Sequence, residues 1–163
     1  MRHLIYTLLL LASLAACRNG TDDAPAGPGG WLKGEAQQKF DTLATHLRGF
    51  DVVMLEVGHR HRELYHAGAE GNWPLADYHV QKIRTTMELG LVRRPKRGAS
   101  AQHFLDEDLP AMKAAIARED SATFVQAYST FTASCNACHA KEQVPHFRAK
   151  VPGEALIPNP TSN

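Results

Sequence analysis

The chain carries no excess of charge of either sign. Its 18 Lys and Arg face 17 Asp and Glu, a formal net charge of +1 over 163 residues, so no field is available to gather nucleic acid. No alternating apolar and polar run marks a half-buried strand, and no internal repeat is present. No pairing of a nucleophile with a base, and no pair of carboxylates, suggests substrate chemistry. Cysteine is scarce, and its count of 3 is odd; in an exported chain each thiol then needs a separate explanation. What is abundant is ordinary: 44% hydrophobic and 21% charged residues describe a globular domain and are too apolar for a disordered one.

The first sixteen residues combine a basic start at Arg2, an apolar run through Leu4, Ile5 and Leu8 to Leu11, and small residues, the layout of a secretory signal peptide and too short to span a bilayer. The run ends Leu14-Ala15-Ala16-Cys17, which resembles the bacterial lipobox. That resemblance implies cleavage before Cys17 and lipidation of its sulfur; the competing reading is an ordinary signal peptide with a chance cysteine. Acyl chains contribute roughly 0.8 kcal/mol per buried methylene, enough in combination to anchor the domain at a membrane. Cleavage removes only Arg2 among the charged residues and leaves 17 basic against 17 acidic side chains. Residues 17–30 are polar and rich in Gly and Pro, a flexible tether spanning on the order of 20 Å. The expected folded domain is 31–151, about 120 residues, sufficient for one core; a disordered tail, 152–163, follows. Arg18, in place of an Asp after the lipidated cysteine, favours the outer membrane, with the domain on the periplasmic side.

Apolar residues recur at spacings of three and four. Phe40, Leu43, Leu47, Phe50, Met54, Val57, His61 and Leu64 form one unbroken stripe, which predicts a long helix over 35–67, with Gly49 and Gly58 as places for a kink or a break. Gly68, Gly71 and Asn72 mark a turn, with Asn72 as N-cap and Pro74 in the first turn of a second helix. That helix carries Ala76, Val80, Ile83, Met87 and Leu91 and stops before the basic loop Arg93–Gly98. A third stripe is Leu105, Leu109, Met112 and Ile116; within it Pro110 either sits in a first turn or kinks the helix. The fourth begins near Ser121 and carries Phe124, Tyr128, Phe131, Cys135 and Cys138. Four amphipathic helices with short connections predict an all-α, antiparallel four-helix bundle.

Cys135-Asn136-Ala137-Cys138-His139 is the signature for covalent attachment of haem c. Two thiols at this spacing reach the two vinyl groups on one edge of the porphyrin, and the adjacent His139 binds iron from the proximal side. Three other uses of these residues compete. A redox dithiol normally opens a helix in a βαβ setting, which this chain lacks. Zinc held by Cys135, Cys138, His139 and His146 lacks a second cysteine pair. A disulfide across two intervening helical residues is strained. Because both cysteines continue the apolar stripe of the fourth helix, a single haem held there faces the interior.

A helical chain with this motif near its C-terminus resembles the class II c-type cytochromes, the cytochrome c′-like four-helix bundles. The likeness covers residues 35 to about 150 in architecture. A narrower one joins Arg60-His61, Leu64-Tyr65, Ala67-Gly68 and Gly71-Asn72-Trp73-Pro74-Leu75-Ala76 to small exported cytochromes ending in the same five residues. The resemblance also implies a homodimer through the first two helices.

The sixth iron position decides between a closed electron-transfer centre and an open gas-binding one. If the first and fourth helices are antiparallel, level partners have numbers summing to about 189, so Cys135 faces Met54 and Tyr128 faces His61. Met54 is therefore the expected distal ligand, with His61 the runner-up and an open iron the remaining choice; in class II proteins the distal residue comes from the first helix. His61 also reads as a hydrogen-bonded interior group, and Met54 as simple packing. Met87 and Phe131 are expected to line the pocket, with His103 or Phe104 from the third helix. His59, His66 and His79 are expected at the surface or its boundary. Asp106-Glu107-Asp108 are expected at the start of the third helix, where they favour its dipole. The basic loop is either solvated or available to neutralise haem propionates or an acidic partner. The expected function is a monohaem cytochrome carrying single electrons between redox proteins, not an enzyme; the alternative is a five-coordinate protein binding nitric oxide or carbon monoxide.

Overall fold

The structure is a computed structural model and describes residues 23–153. The expected signal peptide, Cys17 and most of the C-terminal tail lie outside the described residues. Every named element is helical; the only strand-like feature among the described residues is an isolated bridge between Ala26 and Leu32. Among those residues no helix is long and apolar enough to cross a membrane.

The chain divides into two compact units at Arg48 and Gly49. In the first, a turn through Pro28–Gly30 closes the Ala26–Leu32 bridge, within the stretch expected to be tether. Helix α1, Ala36–His46, follows. The Glu35 N–H donates to Gln38 Oε1 at 2.9 Å, meeting one of the donors that a helix start leaves over. Phe40, Leu43 and Leu47 are exposed.

The single helix expected over 35–67 is two helices. α2 runs Phe50–Ala69. Arg48 takes a left-handed conformation (φ +57°) and Gly49 an extended one, which ends α1 and caps α2 although the three-four apolar spacing continues across the joint. Gly58 lies inside α2 without interrupting it. α3, Trp73–Arg93, starts as expected: Asn72 Oδ1 accepts from the Leu75 N–H at 3.3 Å and Pro74 occupies the first turn.

The third stripe resolves around Pro110. α4, Gly98–His103, passes into a π-helical segment, Phe104–Asp108, and then into α5, Leu109–Ile116, with Pro110 in its first turn. In the wider turn the Leu105 carbonyl would look to residue 110, which has no N–H. Arg84 Nη2 donates to that carbonyl instead, at 2.6 Å. α6, Ser121–Lys141, has Asp120 as N-cap, its Oδ1 accepting from the Thr123 N–H at 2.8 Å.

α2 packs on α3 and α6, and α5 packs on the same two helices. Later residues of α2 meet earlier residues of α6: a Cβ added at Gly68 would lie 2.1 Å from Phe124 Cζ, and His61 touches Tyr128 and Thr132. Glycine is thus required at 68 by the approach of an aromatic ring. Along the inner face of α6 the rings form a column. Trp73 meets Phe124 at 6.0 Å, Phe124 meets Tyr128 at 5.9 Å, His61 lies 4.6 Å from Tyr128, and Phe131 stacks on Phe104 at 5.0 Å.

Candidate functional site

No Gly or Pro interrupts α6, so its apolar stripe runs unbroken from Phe124 to Cys138. Burial changes along it. Phe124, Tyr128 and Phe131 are fully inside, whereas Cys135, packed against the core, and Cys138 are half-buried free thiols. Burial pushes the Cys135 thiol up to about 12, and the neighbouring Cys138 and Asp108 act in the same direction. Burial also raises the Cys138 thiol, against the pull of Lys141 and Arg97. A redox dithiol needs a stabilised thiolate, and these surroundings do the reverse. Among the described residues no group of three or more His, Cys, Asp and Glu is placed to hold a metal ion, so the four residues weighed for zinc do not converge.

His139 follows in the last turn, and its Nδ1 is hydrogen-bonded to the Phe147 carbonyl. A carbonyl can only accept, so Nδ1 carries the proton and Nε2 keeps its lone pair for a metal. The segment that brings Phe147 there is held by Asn136. Asn136 Nδ2 donates to the Ala149 carbonyl at 3.0 Å, and Asn136 Oδ1 accepts from the Ala149 N–H at 2.9 Å. The Val144 N–H donates to the His139 carbonyl at 2.9 Å, and Val151 packs on the core.

The surroundings of the thiols suit a large planar group with an apolar body and polar edges. Phe50, Met54, Leu91 and Leu105 pack, partly buried, against the same core as Cys135, while Asp108, which acts on the Cys135 thiol, has a buried Oδ2 with no hydrogen-bond partner. Two thiols one turn apart, a histidine with its distal nitrogen available and a stacked Phe104–Phe131 wall form a donor set that fits haem c. Met87 is buried in the same core.

Not every expected residue joins the site. His61 is interior: Nε2 lies 2.9 Å from Thr132 Oγ1, and the Tyr128 hydroxyl lies 2.9 Å from both Nδ1 and the His61 carbonyl. Thr132 donates its own proton to the Tyr128 carbonyl at 2.9 Å. With that proton placed, the Thr132 oxygen accepts from His61 Nε2–H, and the neutral ring takes the single Tyr128 proton at Nδ1, the His61 carbonyl being the alternative acceptor of that proton. With both nitrogens engaged, His61 would have to surrender a hydrogen bond to reach iron. Burial, then the nearby Arg62, pushes its pKa down to about 4.

His59 and His66 are exposed; His103 is exposed too, so of the two third-helix candidates for the pocket only Phe104 is inside, and the expectation of a surface or boundary place for His79 is overturned. It is buried, its Nδ1 has no partner, and burial followed by Arg60 lowers its pKa; position on α3 brings it inward, beside Val80 and Ala76. Asp108 is a second correction. It ends the π segment inside a longer helical run, where the extra residue per turn carries its side chain inward to 13% exposure near Cys135. Asn136, in the variable part of the motif, and Glu142, which binds Arg97 and Ser100, carry no sequence signal for their roles. Both act through contacts far along the chain.

No protein-family model, no curated protein and no solved structure matches this chain.

Proposed function

We propose that the chain is a monohaem c-type cytochrome that carries single electrons, built on an antiparallel four-helix bundle of α2, α3, the α4–α5 run and α6. One observation carries the reading: Cys135 and Cys138 meet the core edge on α6 while His139 Nδ1 is tied to the Phe147 carbonyl. Haem would supply an iron centre that gains and loses one electron. The protein's part is positioning. Cys135 and Cys138 would hold the macrocycle by thioethers at the end of the aromatic column, His139 Nε2 would face the iron, and Phe104 and Phe131 would keep water from one side. The Nδ1–H hydrogen bond makes the imidazole a stronger donor and fixes its plane.

The register through His61–Tyr128 and Gly68–Phe124 supports Met54 as the side chain level with Cys135, and so as the distal ligand. Leu14-Ala15-Ala16-Cys17 supports a lipid anchor facing the periplasm. Protein made with a c-type maturation system will be red, and the colour will survive acid-acetone extraction. Replacing Cys135 and Cys138 together by Ala will abolish covalent haem; a coloured, extraction-resistant double variant overturns the reading. Met54→Ala will change the absorption and EPR spectra, and unchanged spectra remove Met54 from the iron. Rapid stoichiometric carbon monoxide binding by the reduced protein would mark the open-iron, gas-binding form.

A further inference from the structure

Beyond the thiol end of α6, the turn Pro95–Arg97 and the end of α3 enclose an open cleft of about 550 Å³ lined by Arg93, Arg94, Pro95, Lys96, Arg97 and Glu142. Four cations and one carboxylate make it a concentrated positive site on a chain whose net charge is only +1. Glu142 shows what the cleft accepts, because its two carboxylate oxygens are held by Arg97 Nη1 and Ser100 Oγ. Its charge answers Arg97. Arg94 donates to the Arg93 carbonyl at 2.8 Å, whereas the buried Arg93 Nε has no partner. Arg97 is also close enough to Cys138 to influence its thiol, so the cleft lies beside the edge of the site that holds the thioethers.

We propose that this cleft docks an acidic segment of a redox partner, whose carboxylates pair with Arg93 and Lys96 as Glu142 already pairs with Arg97. The role in electron exchange rests on the cytochrome reading; the carboxylate site does not. Haem propionates are the weaker occupant, since they leave the macrocycle from the edge opposite the vinyl groups. A guanidinium and an ammonium in one concave site, with an internal carboxylate as template, favour paired carboxylates over a single small anion. Attraction between such charges acts mainly on encounter rate and orientation and weakens with salt.

Titrating the holoprotein with a hexaglutamate peptide at low ionic strength tests this. Saturable binding is expected, with amide NMR shifts centred on residues 93–97 and 142, and affinity should fall about tenfold in Arg93→Gln/Lys96→Gln. Oxidation of the reduced protein by anionic ferricyanide should slow in the same variant, while oxidation by a cationic cobalt complex should not. Lys96→Gln alone changes an exposed residue and serves if the double variant folds poorly. Unchanged peptide affinity, or shifts centred elsewhere, overturns the proposal. So does a variant that alters the haem potential and propionate Raman bands but not peptide affinity, because the cleft then serves the haem's own carboxylates. Peptide binding that is lost in the variant of a chain holding no covalent haem would sink the cytochrome reading and the redox role, and leave a carboxylate site.

Discussion

The two ends of α6 are built on opposite terms. Around Phe124, Tyr128, His61 and Thr132 the side chains are buried, the rings are in contact, and each hydroxyl and ring nitrogen of His61, Tyr128 and Thr132 has a partner. Around Cys135, Cys138 and His139 the same stripe is half-buried, Asp108, Lys141 and Arg97 act on the thiols, and Asp108 Oδ2 is buried without a partner. Native interiors rarely leave such atoms unmet. A region that is complete by itself stabilises the fold, and one left unfinished by protein atoms is where a ligand is expected.

The largest effect that can break this comparison is removal of a ring from the finished end. Phe124 is fully buried and fills the space against Gly68, Trp73 and Tyr128. Phe124→Ala should cost about 3–5 kcal/mol in denaturant unfolding. With haem bound as proposed, the folded molecules should keep the parent's absorption spectrum, and a changed spectrum would show that the two ends are not separable.

A smaller effect comes from pH. His61 is neutral in the fold because burial holds its pKa down to about 4, while in the unfolded chain it titrates near 6.5. Above pH 6.5 neither state is protonated and stability does not change through this group. Between about 6.5 and 4 only the unfolded chain binds the proton, so stability falls as pH falls, by about 3 kcal/mol in all, and then levels. His79, shifted in the same direction, steepens the loss. His61→Gln should remove most of the slope in a urea series from pH 7 to pH 4; an unchanged slope would assign it to other groups.

The two ends also differ in how far the sequence revealed them. The packed end was legible because burial at three-four spacing is what places Leu64, Ile83, Met112 and Phe124 inside, and the caps at Asn72 and Asp120 are local chemistry. Five consecutive residues spell the thiol-histidine motif, so its position was legible as well. Its supports were not. Asn136 reaches Ala149, Glu142 reaches Arg97, and the Pro110-driven π segment turns Asp108 inward, and none of these pairings leaves a period or a spacing to read. The break at Arg48 was hidden for a related reason: apolar periodicity survives a two-residue interruption, whereas one left-handed residue ends a helix.

The smallest effect is the sharpest, because it falls on the boundary between the ends. Thr132 lies one turn before Cys135 and passes the direction of its hydrogen bond to His61: its proton goes to the Tyr128 carbonyl, so its oxygen must receive His61 Nε2–H. Thr132→Val keeps the shape and deletes that acceptor, leaving a buried donor unmet at a cost of about 1–3 kcal/mol. Thr132→Ser restores the oxygen and should recover most of the loss. Nitrogen NMR should show the Nε2–H tautomer of His61 in the parent and Ser forms. In the Val form the proton is free to move to Nδ1, with Tyr128 donating to the His61 carbonyl, 2.9 Å away. If the tautomer changes while the haem spectrum does not, the polar network serves the packed end alone. If the spectrum moves with it, His61 is coupled to the thiol end through the single turn between Thr132 and Cys135, and the boundary drawn between the two ends must shift toward the thiols.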